Sequence, residues 1–138
     1  MGIDLPKGYR PSADEPFMNE MQREFFRRKL TAWREELLQE SVETLDNLKE
    51  GGMTVPDISD RASAEADKAL ELRTRDRMRK VISKIDAALA RIEDGSYGYC
   101  EETGEPIGLE RLIARPIATL TIEAQERHER MEKTYSDD

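Results

Sequence analysis

The sequence predicts a mainly α-helical fold: a long antiparallel two-helix coiled coil, a small zinc-finger-like globular base and a C-terminal helix. Three observations carry that reading. Two long stretches, Phe17 to Glu50 and about Ser59 to Asp94, contain neither proline nor glycine. Within each, apolar residues recur at steps of three and four, the period of one helix face. Between them GGMTVPD holds two glycines and a proline, which is turn chemistry.

Taken in order, residues 1–16 hold three of the six prolines and no periodicity, and read as a flexible arm. The first helical stripe runs through Phe26, Leu30, Trp33 and Leu37, shifts, and resumes at Leu38, Val42, Leu45 and Leu48. In the second stretch Met78, Ile82, Ile85, Leu89 and Ile92 step 4, 3, 4, 3, the spacing of a coiled-coil seam. Nearer the turn, Ala62, Ala66 and Ala69 are small enough to let two backbones approach closely. Helices joined by so short a turn run antiparallel, each about 50 Å long at ~1.5 Å per residue. The expected organisation is the arm at 1–16, a hairpin at 17–94 with its tip at 51–62, and a base with a C-terminal helix at 95–138.

Composition narrows the function. The chain has 138 residues, 38% of them charged, with 30 acids against 22 bases and a net charge of −8. Such an excess of acid argues against binding DNA or RNA through phosphates, where clustered basic charge supplies the affinity. A protein or small-molecule partner is expected. A single cysteine excludes an internal disulfide and suits a reducing compartment. No apolar run approaches the length of a membrane span and the N-terminus lacks a signal peptide's apolar core, so the expected location is cytoplasmic.

At the tip, Asp57 and Asp60 are carboxylates three residues apart, just before an Ala-rich helix start. Asp is a preferred N-cap, and early acids suit the positive end of the helix dipole. Without a nucleophile or base beside them they are weak evidence for an enzyme, and none is expected. Further along, LELRTRDRMRKVISK crowds Arg73, Arg75, Arg77, Arg79, Lys80 and Lys84 together. The ordinary reading is a solvated face; a basic band beside an acidic tip also suits docking into a groove in one orientation.

Near the C-terminus, YGYCEETGEPIGLERLIARPIATLTIEAQ has the layout of a metal knuckle. Against the template C-x2-C-x(15–20)-C-x2-C, its four ligand positions hold Cys100, Thr103, Thr121 and Ala124, with 2, 17 and 2 residues between them. Zinc takes thiolates or imidazoles, which neither Thr nor Ala supplies, so no structural zinc is expected. The apolar residues Tyr97, Tyr99, Ile107, Leu109, Leu112, Ile113, Ile117, Leu120 and Ile122 are expected to pack in its place. His128 reads as a surface residue. Cys100 is either a buried remnant or a thiol whose oxidation tunes activity.

The run from MNEMQ through FRRKLTAWREEL, the tip PDISDRAS, the segment LELRTRDRMRKVISKI and the YGYC…ARPIATL knuckle together resemble the DksA/TraR family of bacterial transcription factors, over about residues 18–133. The resemblance implies a monomeric, non-catalytic regulator that binds RNA polymerase, not DNA, and inserts its coiled coil into the secondary channel. With guanosine tetraphosphate (ppGpp) as effector, such proteins inhibit ribosomal RNA promoters and help activate amino-acid biosynthesis promoters in the stringent response. Asp57, Asp60 and Ala62 match the functional tip, and Arg73, Arg77 and Lys80 match polymerase-contact positions. Lys84 and Arg115 match basic positions of the shared ppGpp site; a third is Gln125 here, which implies weaker or altered ppGpp binding. The alternatives are a Gre-like transcript-cleavage factor, which also presents acids at a coiled-coil tip, and a plain coiled-coil adaptor.

Overall fold

The computed structural model describes residues 3–51 and 58–136. Four helices follow in order: α1 (Glu20–Gly51), α2 (Ile58–Asp94), α3 (Leu109–Ala114) and α4 (Ile122–Ser136). Among the described residues the only β pairing is an isolated antiparallel bridge between Tyr99 and Pro106. No described helix is long and apolar enough to cross a membrane. The predicted mainly helical class is what the chain adopts.

Helix α1 starts where its sequence supplies a cap. The Asn19 side-chain oxygen accepts the Gln22 N–H at 2.9 Å, and Gln22 reaches back to accept the Met18 N–H at 2.8 Å. This is a variant of the capping box in which the return bond goes to the residue before the N-cap, while the Asn19 N–H is taken by the Pro16 carbonyl at 3.2 Å, so the MNEMQ run has a direct physical meaning. At the same end of the pair, α2 stops at Gly95, whose φ of 86° lets the Ser96 N–H reach back to the Arg91 carbonyl at 3.0 Å.

By its contacts the chain divides into two units, Met1–Leu30 with Ala87–Asp138, and Thr31–Asp86. In the first, Phe26, Leu30, Ala88, Ile92, Tyr97 and Leu112 form a core in which each is at most 2 % exposed. Arg27 pairs with Glu93 at 3.1 Å across α1 and α2. Glu24, buried, is compensated by Arg27 at 2.8 Å and Arg28 at 3.7 Å. The stretch before α1, expected to be a flexible arm, is tied down by polar bonds. Tyr9 donates to Glu15 at 2.9 Å, the Ser12 N–H donates to the same carboxylate at 2.9 Å, and the fully buried Gln22 donates to the Ser12 carbonyl at 3.2 Å.

In the second unit Arg34 pairs with Asp86 at 2.8 Å. Going from Arg27 to Arg34 advances seven residues along α1 while the partners retreat seven along α2, so the two helices run antiparallel. Ile85 is fully buried, and Trp33, Leu37, Met78 and Ile82 are half-buried. Leu38 and Val42, expected on the buried stripe, are instead exposed. A seam between two helices covers only a narrow stripe of each. The step of four after Leu37 lands on Ser41, which is half-buried, and leaves Leu38 and Val42 on the flank. Ala62, Ala66 and Ala69, expected at a close approach of the backbones, are also exposed, and Leu45 and Leu48 have side chains outside those described.

Candidate functional site

Two regions hold the residues singled out by the sequence. On α2, Arg73, Arg77, Lys80 and Lys84 are all exposed, and their steps of 4, 3 and 4 put them on one helix face. Among the described residues none of these four is ion-paired, whereas Arg75 is held by Glu71 at 2.8 Å. The result is a row of exposed cations along one face of α2, with no ion-pair partner among the described residues. Ala62 lies exposed near the start of the same helix. Asp60 falls in its first turn, with a side chain outside those described, and Asp57 lies outside the described residues altogether.

The second region is the knuckle. Residues 98–107 form a tight loop in which the Ile107 N–H donates to the Gly98 carbonyl at 2.8 Å, and the Cys100 N–H to the Glu105 carbonyl at 2.8 Å. Gly98 has φ 94°, and a Cβ there would come within 2.9 Å of the Met18 side chain, so only glycine suits the position. Three bonds, one from this loop and two from residues flanking it, tie the knuckle to the chain that leads to α4. The Tyr97 hydroxyl donates to the Pro116 carbonyl at 2.8 Å, the Glu101 N–H to Thr119 at 2.9 Å, and Arg111 to the Leu120 carbonyl at 2.9 Å. Lys29 of α1 donates to the Ile113 carbonyl at 2.7 Å, a cation at the negative end of the short helix α3.

Of the four ligand positions, Cys100, Thr121 and Ala124 meet in the interior, and Thr103 is exposed beside them. Cys100 is 3 % exposed, Thr121 6 % and Ala124 0 %. The Thr121 hydroxyl donates to the Cys100 sulfur at 3.9 Å and accepts the Ala124 N–H at 3.2 Å, which makes Thr121 the N-cap of α4. Burial pushes the Cys100 thiol up, but bonds from the Thr103 hydroxyl and the N–H groups of Thr121, Thr103 and Glu102 outweigh it and bring the thiol down to about 7. Among the described residues no three His, Cys, Asp or Glu side chains gather where they can hold a metal ion.

The list of expected packing residues is partly corrected. Tyr97, Ile107 and Leu112 are buried and Leu109, Ile117 and Leu120 half-buried, but Tyr99, Ile113 and Ile122 are exposed. A helix as short as α3 buries a single side, here Leu112, and its neighbour Ile113 turns away from it. The sequence reading missed Met18, Pro116 and Ala118, which are buried in the same unit. His128 lies on the surface, bonded to Glu102, which Arg127 also approaches at 3.8 Å. Arg115 is exposed. Gln125 is half-buried, and its amide donates to Glu129 at 3.3 Å.

Comparison with known proteins agrees with this geometry. Residues 22–92 match the model of the "DnaK suppressor protein DksA, N-terminal domain", and residues 95–130 that of the "Prokaryotic dksA/traR C4-type zinc finger". The chain is 66% identical over 130 residues to the RNA polymerase-binding transcription factor DksA of Caulobacter vibrioides, covering 94% of this chain and 92% of that one. It is 44% identical over 125 residues to the protein of that name from Escherichia coli K12, covering 91% and 83%. A solved structure of transcription factor DksA2 from Pseudomonas aeruginosa superposes with a TM-score of 0.79 at 43% identity, covering 90% of this chain and 94% of that one. With both halves matched in the order of the fold, the chain belongs to the DksA/TraR family.

Proposed function

We propose that this chain is a non-catalytic transcription regulator that binds RNA polymerase in its secondary channel. The observation that carries the reading is the antiparallel helix pair itself, matched to the family over residues 22–92 and carrying a row of exposed cations on one face of α2. A preformed helical hairpin loses little ordering entropy when it enters a channel. Arg73, Arg77 and Lys80 supply the contact with polymerase, and Asp57, Asp60 and Ala62 act beyond docking, on the electrostatics near the active site. The excess of acid in the chain fits a protein partner better than DNA. The protein acts as a cytoplasmic monomer.

In this reading ppGpp is the effector. Lys84 and Arg115, each exposed on its own unit, offer cations to a ppGpp molecule held against polymerase. The complex inhibits ribosomal RNA promoters and activates amino-acid biosynthesis promoters, as part of the stringent response.

Transcription from a ribosomal RNA promoter with polymerase of the source bacterium, across a ppGpp titration, tests the proposal. Inhibition should deepen with ppGpp. The Asp60→Asn protein should bind polymerase as tightly and fail to inhibit, since Asn caps a helix about as well as Asp. An Asp60→Asn protein that inhibits normally would reduce the tip to a structural cap. A Gln125→Arg protein restores a charge toward an anionic ligand and should respond at about tenfold lower ppGpp, the worth of one charge-assisted hydrogen bond.

A further inference from the structure

The family model that matches residues 95–130 is a C4-type zinc finger, and the residues at its ligand positions do not suit the metal. Structural zinc is held by four donors, almost always thiolate or imidazole. Here one thiol, two hydroxyls and a methyl group occupy the positions. We propose that the knuckle is a metal-independent form of the finger, in which Thr121 does the metal's work of joining the second ligand pair to the first.

Geometry supports this on three counts. First, the Thr121 hydroxyl bonds in both directions, donating to Cys100 of the first pair and accepting the N–H of Ala124 in the second. Second, Ala124 is fully buried and Thr121 and Cys100 nearly so, which shields these three from water, while Thr103 is exposed. Third, the loop and the chain leading to α4 are joined independently of the cluster by the Tyr97–Pro116 and Glu101–Thr119 bonds. One distance across the cluster also matches that of a metal cage. With zinc–sulfur bonds near 2.3 Å, two tetrahedral ligands stand about 3.8 Å apart. The Cys100 sulfur and Thr121 oxygen are 3.9 Å apart. At this pair of positions the ligand chemistry is absent while the spacing of a metal site is kept.

The inference does not depend on the polymerase reading, and its test uses no transcription. The full-length protein, produced in zinc-replete medium, is assayed for metal content and melted with and without a strong zinc chelator. The expected result is far less than one zinc per chain and the same melting temperature in both conditions. Stoichiometric zinc, or a lower melting temperature with chelator, would overturn the proposal.

A second arm tests the preserved spacing with the Thr103→Cys/Thr121→Cys/Ala124→Cys protein. It should bind one cobalt ion with the visible spectrum of a tetrahedral thiolate site, and zinc should raise its melting temperature. Failure of the folded triple variant to bind cobalt would refute the claim that the spacing of a metal site is kept. A third measurement isolates Thr121. Thr121→Val keeps the shape and removes both bonds, so it should speed amide exchange at Ala124 and in the first turn of α4, while Thr121→Ser should not. Unchanged exchange in the Val variant would remove Thr121 from the role assigned to it.

Discussion

Single side chains decide how the N-terminal stretch and the knuckle are held. Glu15 accepts bonds from Tyr9 first of all and also from Ser12, Asn19 and Gln22, and these keep its carboxyl below the ordinary 4.5 although burial works the other way. A folded-state value below the unfolded one contributes stability at pH above 4.5, which is lost as pH falls through the lowered value. Urea melts of the wild type and Glu15→Gln should therefore differ at pH 7 and converge as the pH falls below 4.5. In the loop, Gly98→Ala forces a side chain onto a left-handed backbone and against Met18. It should cost more than about 1 kcal/mol in the same melts, well beyond an ordinary surface change. Thr121→Ala removes a cap and a buried partner, with an expected cost of about 1–2 kcal/mol by thermal or chemical denaturation.

Among the elements, the long helices are the part most directly written in the sequence, because burial on one face imposes a period. Phe26, Leu30, Ile85 and Ile92 were readable that way and are all buried. Leu30→Ala should cost about 3 kcal/mol in denaturant melts, as expected for an emptied core site. Asp86→Asn, which breaks only the exposed pair with Arg34, should cost under about 1 kcal/mol. The flanking Leu38 and Val42 were misread because apolarity alone does not say how wide the covered stripe is. The meeting of Cys100, Thr121 and Ala124 was legible from spacing, since a knuckle fixes which residues meet. What replaced the ligands was less so. The capping role of Thr121 depends on where α4 begins, and the bonds of Tyr9, Glu15 and Gln22 depend on a chain reversal with no period to announce it. Asn19 with Gln22 did carry a readable signal, an N-cap residue followed three places later by an amide.

At the scale of the molecule, the buried apolar residues among those described concentrate in the unit formed by Met1–Leu30 and Ala87–Asp138. The Thr31–Asp86 unit carries exposed Leu38, Val42, Leu70 and Leu72 on helices with a narrow seam. Local stability follows buried contacts, so native-state hydrogen exchange should be slower at Phe26, Leu30 and Ile92 than at Leu38, Val42 and Leu72. Equal protection throughout would mean that the chain opens only as a single cooperative block. The same partition has an optical consequence. The one tryptophan, Trp33, belongs to the Thr31–Asp86 unit, while Tyr9, Tyr97 and Tyr99 all belong to the other. Tryptophan emission thus reads the helix pair alone and tyrosine absorbance reads the knuckle and its surroundings, so this chain carries a separate intrinsic colour for each of its units.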